Sequence, residues 1–306
     1  MSRRTKPSRR FAAVLVSISL VTGSLLAAGI ASGAGKQVDP SVVPSVRGSV
    51  NVFYAGSLVR LMDSGIGPLF TRLTGYRFVG FSGGSKELAS EIKGGVERGD
   101  VFVSASPSVD KSLEGRKNGA WVSWFVTFGR SELVLGYNKK SRFAKDLRSR
   151  PWYKVITLPG FRLGRTDPTI DPKGALTVEA LRDEARRTGD RALLSIANSQ
   201  TGVYPEETLL GRLQAGQLDG GFFYLVEAKA AGLPTESLAP ILLAATFAVT
   251  TLAHSPDEAG AVAFVRFLLG KQAGAVLMRD GITVRTPPLL SGSNVPSSIT
   301  ALTKRS

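Results

Sequence analysis

The first clear pattern of apolar and small residues runs from Ser49 to Leu58. Its first half is rich in β-branched and aromatic residues, which predict a buried strand, and Ala55 and Gly56 then permit a tight turn. Ser57 follows, where an apolar pattern with helical spacing begins. A serine at this position can cap its own helix, or it can help to hold an oxyanion at the helix N-terminus. The pattern leaves both roles open.

The same order of strand, serine-containing turn and helix occurs a second time. Residues 78–81 predict a strand, and the small-residue turn Ser82-Gly-Gly-Ser85 follows it. Leu88 and Ile92 then begin the apolar face of another helix, and residues 100–105 predict a third strand. Strands that alternate with helices in this way are typical of an α/β fold with parallel strands.

Further along the chain, the pattern predicts alternating helices and strands. Pro205 opens a helix that Gly216 ends, because proline is tolerated at the start of a helix and glycine at its end. Gly65, Gly67 and Pro68 predict a break in the helix that follows Ser57. The other predicted elements are helices over 176–187 and 260–270 and a strand over 222–226.

Two predicted strands connect distant parts of the chain, one over residues 132–137 and an apolar return strand over 241–252. They favour a two-lobed α/β protein in which these strands form a hinge. The predicted division is a first part of lobe 1, then lobe 2, then a return to lobe 1 with the C-terminal tail, over residues 49–131, 132–245 and 246–306.

The N-terminus has the pattern of an export signal. Residues 1–10 are basic, residues 11–30 are apolar, and residues 31–34 are small. This order predicts a secretory signal peptide over residues 1–34. The apolar run is near the ~20 residues that span a bilayer, so an uncleaved membrane anchor is the alternative. Residues 35–48 predict a flexible tether, and in either case the remainder of the chain is expected to be exported.

Composition narrows the classes of function. The 306 residues carry a formal charge of +15, of which +10 remains without the five basic residues of the N-terminus. The basic residues of the remainder are interleaved with acids, which argues against a nucleic-acid groove. There is no cysteine, so disulfides, thiolate metal sites and a cysteine nucleophile are excluded. The positive charge favours an anionic ligand.

The sequence offers little for catalysis. The single histidine, His254, is predicted to lie in a surface loop. The chain therefore lacks the histidines that a multi-histidine metal centre needs, and its one histidine is poorly placed for a catalytic triad. Ser57, Ser85 and Asp110 are conceivable as a catalytic set. The chain has no Gly-x-Ser-x-Gly elbow around a nucleophile, however, and we expect no enzymatic activity, no cofactor and no resident metal ion.

The segments described above, taken in order, resemble the solute-binding proteins of molybdate and tungstate ABC importers. The resemblance covers about Val50 to Arg285. It implies a two-lobed fold of the periplasmic-binding-protein type II, with a ligand cleft between the lobes, a permease in the membrane as partner, and a monomeric state. Its most specific parts are residues 54–58, 81–89, 99–105, 164–174 and 205–224.

The resemblance also implies a set of ligand-binding residues. Ser57 and Ser85 match the two serines with which the first lobe of this family holds oxyanion oxygens. From the second lobe, the resemblance implies backbone N–H groups and a tyrosine, at positions that match Asp171 to Lys173, Glu206 and Tyr224. Each residue has an ordinary structural alternative: the serines and Glu206 as helix-start residues, Asp171 as a turn residue, and Tyr224 as part of the core.

One position departs from the family. The archaeal-type tungstate binders pair an aspartate with a glutamate just before the tyrosine, and both carboxylates coordinate the metal. Here that position is Phe223, so the resemblance implies only half of the pair, in the segment that contains Asp167 and Asp171. A tetrahedral oxyanion held by hydrogen bonds is therefore expected.

Donor chemistry sets the expected ligand. Near neutral pH, molybdate, tungstate and sulfate are fully deprotonated and can only accept hydrogen bonds, whereas phosphate carries a proton and can also donate one. The loss of an acceptor at Phe223 therefore predicts that phosphate is excluded. Molybdate or tungstate is the expected ligand, and the alternatives are sulfate, another small anionic solute, or a sensor role for the same exported fold.

Overall fold

A computed structural model describes residues 47–95 and 98–304 of the chain. The predicted signal peptide, residues 1–34, and most of the predicted tether, residues 35–48, lie outside the described residues. Within them, three parallel strands come first: β1 (Ser49–Ala55), β2 (Arg77–Gly83) and β3 (Val101–Ser104). β1 lies between the other two and pairs with both in parallel. The predicted parallel α/β arrangement of this region is confirmed.

The described residues contain seven further strands. They are β4 (Trp124–Tyr137), β5 (Leu163–Thr166), β6 (Val203–Tyr204), β7 (Gly220–Tyr224), β8 (Thr235–Ser237), β9 (Ala244–Thr251) and β10 (Thr283–Gly292). The sheet order is β2-β1-β3-β9-β4-β7-β5-β6, and β8 and β10 pair with β4 outside this path. β10 was not predicted from the sequence, because its two prolines hide the strand pattern.

β4 joins the two parts of the sheet. Up to Glu132 it pairs with β9 and β10, and from Leu133 to Tyr137 it pairs with β7 and β8. We call β1, β2, β3, β9 and β10 the β1 side, and β5, β6, β7 and β8 the β7 side. The partner change lies where the sequence predicts the first lobe boundary, and the division into lobes stays a prediction.

Thirteen α-helical segments cover the described part of the sheet. They are α1 (Val59–Leu61), α2 (Gly67–Thr74), α3 (Ser85–Gly94), α4 (Pro107–Lys111), α5 (Ala144–Ser149), α6 (Trp152–Ile156), α7 (Pro172–Thr188), α8 (Arg191–Asn198), α9 (Glu206–Gln214), α10 (Leu225–Ala230), α11 (Glu258–Leu268), α12 (Lys271–Arg279) and α13 (Ser297–Thr303). No single helix among the described residues is long and apolar enough to cross a membrane. α11 and α12 meet that criterion only as a pair, which is bent by 57°.

The predicted helix break near Gly65 to Pro68 is wrong. A π-helical segment, Met62–Ile66, connects α1 directly to α2, so the chain stays helical. Pro68 lies in the first turn of α2, where a residue without an N–H donor is tolerated. Gly67 is required for packing instead, since a Cβ there would lie 2.5 Å from the Phe78 ring.

The strand predicted over residues 222–226 ends earlier. β7 stops at Tyr224, and α10 begins at Leu225. Phe222 and Tyr224 belong to the largest hydrophobic cluster, whereas Phe223 packs in a separate cluster with Leu209 and other residues of α9. This alternation follows from the pleat of the strand, which sends successive side chains to opposite faces.

Candidate functional site

Two serines lie where strands of the β1 side end. Ser57 follows β1 in a 3₁₀ turn, and its side chain caps no helix. Its Oγ is buried and has no hydrogen-bond partner among the described residues. Ser85 follows β2 as the first residue of α3, whose N-cap is Gly84. The capping alternative is therefore wrong for both serines.

The hydroxyl of Ser85 can act as a donor. Its Oγ accepts a hydrogen bond of 3.1 Å from the backbone N–H of Ala105, at the end of β3. A hydroxyl carries one hydrogen and two lone pairs, so this bond leaves the O–H free to donate. The residue is buried, and the end of β2 and the residue that follows β3 hold it in place. Ser57 and Ser85 both offer an O–H group at this edge of the sheet.

Asp171 begins the opposite wall, on the β7 side. It is the N-cap of α7, and its Oδ1 accepts a hydrogen bond of 2.9 Å from the backbone N–H of Lys173. The predicted role as a turn residue is therefore correct for one oxygen. The other oxygen, Oδ2, is buried and has no partner among the described residues. A buried acceptor without a partner is unfavourable, and it indicates a place that a ligand or solvent fills.

The side chain of Lys173 is fully buried between two glutamates. Its Nζ lies 2.9 Å from Glu206 Oε1 and 2.8 Å from Oε2, and only the approach to Oε1 has hydrogen-bond geometry. The same Nζ lies 2.8 and 3.1 Å from the two carboxylate oxygens of Glu227. Glu206 and Glu227 are 8% and 7% exposed. One buried ammonium group therefore binds the carboxylates of Glu206 and Glu227, and the carboxylate of Asp171 completes the cluster.

Burial and charge set the ionisation of this cluster. Burial lowers the pKa of Lys173, but the carboxylates of Glu206, Glu227 and Asp171 outweigh it, so that the pKa is raised and the ammonium group stays charged. Burial raises the pKa of Glu206 well above its usual value, against the lowering effect of Lys173. The pKa of Glu227 is also raised, by the same opposition of burial and Lys173. The ammonium group of Lys173 therefore only partly offsets the effect of burial on these two glutamates.

Tyr224 is the last residue of β7 and is fully buried. The structural alternative, a core residue, is correct for its ring, which lies edge-on to Phe247 at 6.2 Å between centroids. Its hydroxyl, however, has no hydrogen-bond partner among the described residues. Burial, followed by the nearby carboxylates, raises the pKa of this hydroxyl, so it stays protonated and can donate.

The two walls touch each other. A Cβ at Gly56 would lie 2.3 Å from Glu206 Cγ, and a Cβ at Gly84 would lie 2.9 Å from the carbonyl oxygen of Ile170. Lys86, in the first turn of α3, donates its backbone N–H to Ile170 O at 3.2 Å and its Nζ to Pro168 O at 2.9 Å. The β1 side and the β7 side are therefore in a closed arrangement.

A cavity of about 230 Å³ lies between the walls. Its lining residues are Gly56, Ser57, Val59, Arg60, Ser82, Glu206, Glu207, Leu210 and Glu227. A larger cavity of about 720 Å³ lies between α12, β10 and α13, but none of the buried polar atoms without partners is among its residues. Ser57 and Glu206, which carry two of these atoms, line the smaller cavity, and we take it as the candidate site.

The structure brings together the residues on each wall that the sequence predicted. It adds Glu227, which the sequence analysis missed because the residue lies in α10, beyond the strand predicted to end at Val226. It also corrects the expectation that only half of a carboxylate pair is present. Phe223 packs in the core beside α9, while Glu206 and Glu227 supply carboxylates from other elements.

Other candidate chemistry lies elsewhere. Asp110 is buried and bonded to Ser104, and it makes no hydrogen bond to Ser57 or Ser85. His254 is exposed, as predicted, and its ring lies edge-on to Trp121. Among residues 47–95 and 98–304, no group of three or more His, Cys, Asp or Glu side chains is arranged to hold a metal ion.

Comparison with known proteins decides the family. Residues 50–283 match the bacterial extracellular solute-binding protein family. The chain belongs to this family. In fold, this solute-binding protein is similar to the periplasmic molybdate-binding protein of Azotobacter vinelandii, with a TM-score of 0.63 and 20% identity over 77% of this chain and 99% of that one. The predicted periplasmic-binding-protein type of fold is confirmed.

Two relatives in sequence carry names that concern molybdenum or tungsten. The chain is 28% identical over 270 residues to the putative ABC transporter molybdenum-binding protein HVO_B0369 of Haloferax volcanii. The match covers 87% of this chain and 77% of that protein. It is 24% identical over 234 residues to the molybdate/tungstate-binding protein WtpA of Thermococcus kodakarensis. This match covers 60% of this chain and 66% of the relative.

The buried ammonium group gives a direct test of the cluster. We expect Lys173→Met to lower the free energy of unfolding by about 3 to 5 kcal/mol, because it leaves two buried carboxylates without their cation. The loss should grow as pH rises, since the freed carboxyls are stable only when protonated. Denaturant unfolding at several pH values measures it.

The matched control is Lys154→Met, which removes an exposed ion pair with Asp190 at 3.6 Å. This change should alter stability by less than about 1 kcal/mol. Adding Glu227→Gln to Lys173→Met should recover part of the loss. A Lys173→Met protein as stable as the control would contradict the role assigned to the ammonium group.

Proposed function

We propose that this protein captures molybdate or tungstate as a tetrahedral oxyanion in the cavity between the β1 side and the β7 side, and delivers it to an ABC permease. The observation that carries the proposal is a set of buried hydroxyls that are free to donate on the two walls. Ser57 lines the cavity and its hydroxyl has no partner, the hydroxyl of Tyr224 at the end of β7 has no partner either, and Ser85 has an O–H free to donate. The names of the two relatives in sequence support the choice of molybdenum and tungsten.

The cavity suits a small anion in size and chemistry. A water molecule occupies about 30 Å³ in the liquid, so about 230 Å³ leaves room for a four-oxygen ion. A hydrogen bond to a charged group contributes about 1.5 to 3 kcal/mol, and more donors raise the affinity further. The ligand-binding residues of the proposal are Ser57, Ser85, Asp171, Lys173, Glu206 and Tyr224, together with Glu227.

The sequence predicts that phosphate is excluded, but the structure removes the reason for that prediction. That expectation assumed a cage without acceptors, but Asp171 Oδ2 and Glu206 Oε2 are buried acceptors at the site. A proton on hydrogen phosphate could be accepted there. Discrimination among molybdate, tungstate, sulfate and phosphate therefore depends on the size of the anion as well as on the donors and acceptors of the site.

The wider proposal is transport without catalysis. The family consists of extracellular solute-binding proteins. We propose that this protein is exported and monomeric and acts together with a permease, and that it needs neither a cofactor nor nucleic acid. A sensor role would use the same site. Retention of an oxyanion by the purified exported form is common to both roles, whereas stimulation of a permease's ATPase is specific to transport.

The serines test the proposed ligand directly. Ser57→Ala and Ser85→Ala should each weaken molybdate or tungstate binding roughly ten- to hundredfold, since each removes one charge-assisted hydrogen bond. Titration calorimetry with molybdate, tungstate, sulfate and phosphate at one pH measures the effect. The control is Ser90→Ala, an exposed residue of the same α3. The proposal fails if both site variants bind as tightly as the control, or if none of the four anions binds.

Closure around the ligand has its own test. A Cβ at Gly56 would meet Glu206 Cγ, so Gly56→Ala should hold the walls apart and weaken molybdate binding at least about tenfold. Small-angle scattering should show that molybdate reduces the radius of gyration of the parent but not of this variant. Gly211→Ala is the control, because nothing lies within 4 Å of its added Cβ. Equal contraction of both variants would show that closure does not depend on this contact.

A further inference from the structure

We infer that the side chain of Lys86 is a latch, which holds residues 167–171 against the start of α3 and thereby slows release of the bound anion. The inference rests on the proposed function, since it concerns the same site and ligand. It goes further because it assigns the residence time of the anion to a residue outside the ligand-binding set. Lys86 is in this sense a positioning residue.

Lys86 connects the two walls by two hydrogen bonds. Its backbone N–H donates to Ile170 O at 3.2 Å, and its Nζ donates to Pro168 O at 2.9 Å. The donor belongs to α3 on the β1 side, and the acceptors follow β5 on the β7 side. An ammonium group makes a stronger hydrogen bond than a neutral donor, and this one is half-buried. Both bonds can form only while the two walls are in contact.

The acceptor segment is a preformed turn, residues 167–171, which we call the Asp167 turn. The Oδ1 of Asp167 accepts hydrogen bonds from the backbone N–H and the hydroxyl of Thr169, at 2.8 and 2.6 Å. The carbonyl oxygen of Asp167 accepts another from the N–H of Asp171 at 3.0 Å. Because these bonds lie within the turn, we expect it to move as one unit, so that one contact with Lys86 holds all of it.

The contact adjoins the proposed site on both walls. Lys86 directly follows Ser85, and Ile170 directly precedes Asp171. The backbones approach closely here, since a Cβ at Gly84 would lie 2.9 Å from Ile170 O and 3.6 Å from Asp171 Cβ. The latch therefore fixes Ser85 on one wall relative to Asp171 on the other.

Charge favours the same contact. Hydrogen bonds from Thr169 lower the pKa of Asp167, and the nearby charges of Arg165 and Lys86 lower it further. The Asp167 turn therefore presents a negative charge near the ammonium group of Lys86. A methionine at position 86 would keep an unbranched apolar side chain but would lose both this attraction and the bond to Pro168.

The position of the latch determines which rate constant it changes. In the proposed mechanism the anion enters and leaves while the walls are apart, and the Nζ bond exists only while they are together. Loss of the bond therefore favours opening and leaves the encounter with the open site unchanged. The lost affinity should appear in the dissociation rate, which is where most changes in affinity between related complexes occur.

The test measures both rate constants for radiolabelled molybdate on the full exported chain. Lys86→Met should release molybdate about tenfold faster, the size expected when one hydrogen bond to a charged group is lost. Its association rate should equal that of the control, Lys93→Met. This control removes the same charge from an exposed position of the same α3, and it should keep both rates of the parent.

A second variant breaks the same contact without altering Lys86. Gly84→Ala should also speed release, because its Cβ would meet the carbonyl oxygen of Ile170. Adding Lys86→Met to Gly84→Ala should then change the rate little, since changes that break one shared contact are not additive. The amount of molybdate bound per protein molecule measures the folded fraction of each variant, and rates are compared for that fraction.

Three results would overturn the latch while the proposed function stands. One is a dissociation rate of Lys86→Met equal to that of the control. Another is slower association with unchanged dissociation, which would show that Lys86 attracts the anion instead. The third is additivity of Gly84→Ala and Lys86→Met, which would show that Lys86 acts through a different contact. If the parent binds none of molybdate, tungstate, sulfate and phosphate, the proposed function fails together with this inference.

Discussion

The site depends on one buried ammonium group, that of Lys173. It binds Glu206 of α9 and Glu227 of α10, and its own helix begins at the capping carboxyl of Asp171. Without this cation, three buried carboxyls from separate elements would have no opposite charge to hold them in one place. With it, the β7 side presents an ordered polar wall, against which the serine turns of the β1 side close.

The parts of the site that depend on local sequence could be predicted. Ser57 and Ser85 follow short apolar strands and small-residue turns, and this pattern needs only neighbouring residues to fold as it does. The parallel arrangement of β1, β2 and β3 follows from the same alternation. Asp171 precedes a proline, which is a common way to begin a helix, and the structure shows it as a cap.

The parts that depend on distant contacts could not be predicted. The sequence assigned Lys173 to the site through its backbone, whereas its side chain pairs with residues 33 and 54 positions away. Phe223 suggested a missing carboxylate, because one position was considered without its three-dimensional neighbours. In the fold, that residue packs against α9, and carboxylates reach the cluster from two helices instead. The sharing of β4 between two parts of the sheet has the same long-range character.

The most direct measurement of the central claim is a crystal structure of the protein with tungstate, in which anomalous scattering locates the tungsten atom. The account predicts one strong peak in the cavity between Ser57 and Asp171, with tungstate oxygens within hydrogen-bond distance of the hydroxyls of Ser57, Ser85 and Tyr224. A peak in the larger cavity beside α12, or no ordered tungsten at saturating tungstate, would contradict it.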